Sequence, residues 1–284
     1  MKIGVNTWVW TSPLTTEALS NLVPKVAEMG FDWVELPLEN LDDFDHPTAA
    51  SLISEYGLGV SACAVMSPDR DLIHPDEAVR ENGMAYVRGA IKAARAFGAT
   101  NLVGPLYSAV GRCWQAIPEE RARDMDILAN NLRLLAAFAA DHGVVLCLEP
   151  LNRFETSFMN LAEQAIEVVD RVDHPACQIM LDTFHMNIEE KSLGDAIRAA
   201  GPRLQHFHAC ENDRGAPGSG NVAWEEAALA LKEIGYDGPV VIESFTPAVK
   251  SIARAVCIWR PLAESQDALA ADGLAFMRRL LNGL

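Results

Sequence analysis

The chain has 284 residues, half of them apolar, and a formal net charge of −16. That length can bury one large core without forcing a second domain, and the acidic balance repels polyanions, so nucleic acid is excluded as a first partner. No run of about 18 apolar residues exists to span a membrane, and the opening MKIGVNTWVW lacks the cleavage pattern of a signal peptide. The six cysteines (63, 113, 147, 177, 210 and 257) are scattered with no C-x-x-C pair, which reads as free thiols in a reducing, cytoplasmic setting.

In chain order, KIGVNTW (2–8) is the first apolar run. One pattern then recurs: an amphipathic stretch, a glycine, a short apolar run. It appears at AEMG-FDWVEL (27–36), SEYG-LGVSACAV (54–65), ARAFG-ATNLVG (94–104), ADHG-VVLCLE (140–149), AAG-PRLQHFH (199–208) and KEIG-YDGPVVIE (232–243). The glycine is the left-handed stop of a helix and the apolar run is the next strand. With KIGVNTW and CQIMLD (177–182) this gives eight strands. Helices are predicted over 15–29, 46–56, 76–97, 117–142, 161–172, 190–200, 222–234 and 262–282. Eight alternations predict an α/β fold, a (β/α)8 barrel. No G-x-G-x-x-G follows the first strand, as a doubly wound sheet would favour. The barrel is expected to take residues 1–284 as a single domain, with a C-terminal helical segment about 250–284 packing on it.

Barrel enzymes keep their chemistry at the C-terminal ends of the strands. The fifth to eighth strands end in Glu149, Asp182, His208 and Glu243. Alternation puts Cys147 on the face of Glu149, Met180 with Asp182, His206 with His208 and Val241 with Glu243. Turned inward, these ends bring three carboxylates and one imidazole together. Such a set repels itself unless a cation is held, and its oxygen-rich character suits Mn2+, Mg2+ or Co2+ better than zinc. Singly, each residue is more often a helix cap, a salt-bridge partner or a packed core group; four on successive strand ends are hard to obtain that way. His206, one layer deeper, reads as a hydrogen-bonded support. Glu35 could line the pocket or orient another polar group, with a structural role favoured.

At LEPLNRFE (148–155), LDTFHMNIEE (181–190), HFHACENDRGAPGSG (206–220), ALKEIGYDG (230–238) and ARAVCIWR (253–260) the chain resembles the ketose 3-epimerases of the xylose-isomerase-like barrels. The resemblance implies an isomerase that epimerises C3 of free ketoses of the D-tagatose, D-fructose/D-psicose and L-ribulose type. It implies Glu149, Asp182, His208 and Glu243 as metal ligands, usually for Mn2+. Glu149 and Glu243 become the catalytic acid–base pair, and Glu155, His185 and Arg214 the substrate-binding groups. It also implies a homodimer or homotetramer. The chain departs from some relatives after the fourth strand, where GPLYSAVGRCW (104–114) has Val110 near the place of a sugar-walling tryptophan and Trp114 further on. The tail ARAVCIWRPL (253–262) is expected over the pocket or at a subunit contact. Competing readings are an aldose–ketose or hydroxypyruvate-type isomerase, a phosphosugar epimerase using Arg112, Arg153 or Arg214, a DNA-repair nuclease, and a sugar-binding barrel without turnover.

Overall fold

A computed structural model describes residues 1–283. The strands are β1 (Lys2–Asn6), β2 (Trp33–Pro37), β3 (Gly59–Cys63), β4 (Asn101–Gly104), β5 (Val145–Leu148), β6 (Cys177–Asp182), β7 (Leu204–Ala209) and β8 (Pro239–Ile242). All neighbours pair in parallel, and β8 returns to β1 with Ile3 beside Val240, closing the barrel in sequence order. The helices are α1 (Thr16–Glu28), α2 (His46–Tyr56), α3 (Glu77–Ala96), α4 (Pro118–Asp141), α5 (Ala162–Val172), α6 (Thr183–Glu189), α7 (Leu193–Ala200), α8 (Trp224–Glu233), α9 (Lys250–Ala255) and α10 (Gln266–Asn282). Among the described residues no helix is long and apolar enough to cross a membrane.

Strand alternation divides the side chains into two sets. Leu36, Ala62, Leu102, Leu146, Leu181, Phe207 and Ile242 point outward into the layer shared with the helices. Each fully buried aliphatic side chain there contributes about 1.5–3 kcal/mol. Cys63, Val103, Cys147 and Met180 instead face the axis, in a smaller cluster with Trp8, Phe245 and Ile258. The floor of the barrel is the Trp33 ring, whose indole donates to Ser61 Oγ at 3.1 Å. Gly59 leaves room for it, since a Cβ there would lie 1.9 Å from the ring.

The glycines that close the repeated pattern take positive φ, as at Gly57 (66°) and Gly143 (66°). Two local departures from the sequence reading concern helices too short to declare themselves by periodicity. The segment after β6 does not wait until 190: α6 starts at Thr183, because Asp182 Oδ1 accepts the Phe184 backbone N–H at 2.7 Å and caps it. The predicted helix at 190–200 is α7, from Leu193, and the final helix begins at Gln266 rather than 262. The six-residue α9 lies before it. Helix α10 packs on α8, β1 and β8, and Gln266 Nε2 donates to Val9 O at 2.8 Å, tying the two ends of the chain together.

Candidate active site

Because β5 to β8 are consecutive and parallel, their C-terminal ends form one arc of the barrel mouth. Glu149, Asp182, His208 and Glu243 all turn inward there, as alternation requires. Each is buried, and one potential ligand atom from each lies within 4.8 Å of the others. Two of their polar atoms, Glu149 Oε1 and His208 Nδ1, are buried without a hydrogen-bond partner among the described residues. Orphaned acceptors of this kind are rare and call for a partner. Three carboxylates and an imidazole nitrogen suit a hard divalent cation, so these residues fit a metal ion.

His208 is aimed from beneath. Its Nε2 lies 2.8 Å from Glu35 Oε1, which also accepts from Asn6 Nδ2 at 2.9 Å. Glu35 Oε2 accepts from Ser61 Oγ at 2.7 Å. With Nε2 set against Glu35, Nδ1 is the ring nitrogen left facing the carboxylates, 3.5 Å from Glu243 Oε2. Glu35, for which a structural role was favoured, is therefore the residue that orients His208. His206 Nε2 also sits 2.9 Å from Glu35 Oε2. Its alignment is too poor for a hydrogen bond, and both ring nitrogens lack partners among the described residues. The inward parity of Asn6 and Ser61, on β1 and β3, was the one available sign that they belong here.

Arg214 comes from the loop after β7 and is buried with its guanidinium 3.9 Å from the Phe184 ring. Its Nη1 donates to Asp182 Oδ2 at 2.8 Å and Glu243 Oε2 at 3.0 Å. The backbone there is left-handed, with φ 66°, and the loop is pinned by buried Glu211, which accepts from Val222 N, Gly218 N and Trp224 Nε1. His185, in the first turn of α6, accepts the Asn152 backbone N–H at Nδ1 (3.0 Å), and its Nε2 faces the site, 3.1 Å from Arg214 Nη2 and 3.7 Å from Glu149 Oε1. Asn152 also donates to Glu155 Oε1 at 2.8 Å. The N-R-F-E segment thus holds both His185 and Glu155.

Burial and crowding split the carboxyl groups. Burial, and then Glu243, push the Glu149 pKa well above the carboxylate range. Burial raises Asp182 to about 6, against the pull of Arg214. For Glu243 burial is outweighed by His208 and Arg214, and its pKa is lowered. Burial also opposes ionisation of Glu35, but His208 and His206 hold it well below its usual value. His208 goes up despite burial, through Glu35 and Glu243, whereas burial and Arg214 keep His185 neutral, its pKa well below the usual value. Glu149 and Glu243 are thus shifted in opposite directions in the metal-free site.

Of these groups, Glu149 and Glu243 line a cavity of about 300 Å3 together with Trp8, Glu39, Met66, Arg70, Val110 and Phe245, small-molecule in scale. Glu155, His185 and Arg214 all line it. So does Val110, whereas Trp114 stacks on Phe158 with centroids 6.2 Å apart and under Arg112, outside the cavity. Ile252, Ala255 and Val256 of the tail cover one side, while Trp259 is 73% exposed. A larger hollow of about 620 Å3 at the start of α4 has none of the convergent carboxylates and histidines. Trp8, Glu39 and Arg70 were not singled out in the sequence: Trp8 lies in a 3-10 turn after β1, and Glu39 and Arg70 sit on loops without strand parity to mark them.

A family model described as xylose isomerase-like TIM barrel matches residues 23–280. The ketose 3-epimerase of Arthrobacter globiformis is 36% identical over 289 residues, covering 100% of this chain and 98% of that protein. The D-psicose 3-epimerase of Agrobacterium fabrum is 33% identical, with full coverage of both. A crystal structure of a D-psicose 3-epimerase in the presence of D-fructose superposes with a TM-score of 0.91, at 33% identity and 100% coverage of both chains. On this full-length similarity, the chain belongs to the ketose 3-epimerases, isomerase-class enzymes within the xylose isomerase-like TIM-barrel family.

Proposed function

We propose that this chain is a metal-dependent 3-epimerase of free ketoses that works through an enediolate. The observation that carries the proposal is the convergence of Glu149, Asp182, His208 and Glu243 within 4.8 Å at the barrel mouth, where Glu149 and Glu243 also line a cavity. In this reading the four hold a divalent cation, Mn2+ by family resemblance. When bound, such an ion supplies Lewis-acid stabilisation of negative charge on the sugar oxygens, on the order of several kcal/mol.

Epimerisation at C3 needs a base on one face of the carbon and an acid on the other. Glu149 and Glu243 come from β5 and β8 and so flank whatever lies between them. Their opposed pKa shifts leave one protonated and one ionised in the metal-free protein, and the roles exchange for the reverse direction. His185 lines the cavity as a neutral ring beside Arg214, placed to contact the sugar's C2 oxygen. Arg214 and Glu155 bind hydroxyls beside the reacting carbons. The carbanion formed at C3 is then delocalised onto O2 as an enediolate.

The charge distribution supports a free over a phosphorylated sugar. Arg112 is engaged with Asp71 at 2.8 Å, Arg153 with Glu189 at 2.9 Å, and Arg214 with the floor carboxylates. The family resemblance adds a homodimer or homotetramer, which light scattering checks, and the scattered cysteines a cytoplasmic setting. The deciding test is NMR in D2O with Mn2+-loaded protein and D-fructose, D-tagatose and L-ribulose in turn. A C3 epimer with deuterium at C3 is expected. Label at C1 or C2 of an aldose would replace the reading with a 1,2-isomerase.

A further inference from the structure

The loops after β2 and β3 lie across the barrel mouth from those after β6 and β7. A sugar held for reaction over the β5–β8 arc therefore extends its far end toward β2 and β3. Two charged residues line the cavity on that side, Glu39 and Arg70, and the chemistry assigned above uses neither.

Both are fixed in place with hydrogen-bonding capacity to spare. Glu39 Oε1 accepts from Trp8 Nε1 at 2.9 Å and Ser12 Oγ at 2.7 Å, while Oε2 makes no hydrogen bond among the described residues. Arg70 lies over the Tyr86 ring, 3.9 Å from its centroid. Its Nε donates to Ser67 Oγ at 2.7 Å and its Nη1 to the Glu39 carbonyl at 3.3 Å. Nη2 keeps its donors unused among the described residues. Stacking and the Ser67 bond set the plane of the fork, so little side-chain entropy remains to be lost on binding.

We propose that Glu39 and Arg70 form a distal subsite that reads the terminal hydroxyl of the ketose, selecting a ketohexose with a free terminal hydroxymethyl group. This rests on the epimerase reading above. A hydroxyl is the group that offers one donor and accepts in return, matching a free carboxylate oxygen beside a free guanidinium edge. A phosphate or carboxylate at that end would meet Arg70 favourably but be repelled by Glu39. Met66, Val110 and Phe245 supply the apolar wall along which the sugar's C–H face runs.

The test compares kcat/KM for D-fructose and 6-deoxy-D-fructose in the Mn2+-loaded wild type, Glu39→Gln and Arg70→Met. The wild type is expected to prefer the hydroxylated sugar by ~10- to 100-fold, as hydrogen bonds to charged groups imply. Each variant should reduce that preference by ~5-fold or more. Comparing ratios between variant and wild type cancels any difference in open-chain fraction between the sugars. The glutamine amide oxygen keeps an acceptor for Trp8 and Ser12, so Glu39→Gln decides the matter if Arg70→Met does not fold. A preference near unity in the wild type, or one unchanged in the variants, overturns the subsite. If the wild type epimerises neither sugar, the epimerase reading fails, and the ratio of their Kd values in the same proteins decides the subsite separately.

Discussion

Replacing Glu35 with glutamine should weaken metal binding without touching a metal ligand. Glu35 is fully buried, with Oε1 shared by Asn6 Nδ2 and His208 Nε2 and Oε2 facing Ser61 Oγ. A glutamine oxygen at the Oε1 position keeps the first two bonds. Its amide nitrogen then faces Ser61, whose hydroxyl can rotate to accept. Shape and bond count survive, and what disappears is the negative charge behind His208. A charge-assisted bond is roughly twice as strong as a neutral one, so the imidazole loses about 1–1.5 kcal/mol of basicity and orientation. That corresponds to an approximately 10-fold rise in the Kd for Mn2+, at the lower end of the 10- to 100-fold range for partners of metal-ligating histidines. Glu35→Leu removes every acceptor and strands three buried donors at about 1–3 kcal/mol each, so it should unfold or melt far earlier. Titration calorimetry with Mn2+ gives the affinity, and 15N shifts of the His208 ring give the tautomer. An unchanged Kd together with an unchanged Nε2–H tautomer in Glu35→Gln would refute the orienting role.

Three further outcomes are expected. Glu149→Gln should lower kcat by ~10^2- to 10^4-fold in the D2O assay while the metal-free protein melts no earlier, since burial penalises the carboxylate and not the amide; full activity would remove its acid–base role. The metal-free protein should lose stability as pH rises from 5 to 8. Asp182 titrates near 6 when folded against 3.8 unperturbed, so the folded state binds the extra proton and its advantage is lost between those values, at the lower end of that window. The raised Glu149 acts in the same sense, and the raised His208 contributes fully below its ordinary 6.5 and is lost above its folded pKa. The depressed Glu35 and Glu243 contribute above their ordinary 4.5 and lose that only in stronger acid. The gain in Tm on adding Mn2+ should grow over the same range, and equal gains at both ends would contradict the ligand set. Gly59→Ala places a methyl 1.9 Å from the Trp33 ring and should cost about 1–3 kcal/mol, read as a lower urea midpoint; an unmoved midpoint would show that the barrel floor yields freely.

The barrel was legible because its signal is repeated: six strands follow a helix stopped by glycine and each strand is short and apolar, so a single misread element does not change the count. The four strand-end residues were legible because alternation along a strand and closure of a ring are both fixed geometry. Glu35 was not. Its partner His208 is 173 residues away, and a carboxylate in the middle of β2 acquires meaning only when the closed barrel sets it against β7. The short α6 was invisible for another reason. At seven residues it spans less than two turns and shows no helical period. Glu39 and Arg70 lie on loops, where neither parity nor period tells inside from outside.

Asp182 shows why a bland reading and a functional one need not compete. Its Oδ1 caps α6 through the Phe184 N–H, while Oδ2 meets Arg214 at 2.8 Å. The same division recurs around the site. His208 is tied at Nε2 by Glu35 and open at Nδ1. Glu39 is tied at one oxygen by Trp8 and Ser12. Each side chain has two polar atoms, one bonded to the scaffold and one left for chemistry. A group anchored in this way does not need to reorient when substrate arrives, so its orientation is settled during folding and not during the reaction. The capping bonds that argue for a structural role are, on this reasoning, the means by which the functional atoms are aimed.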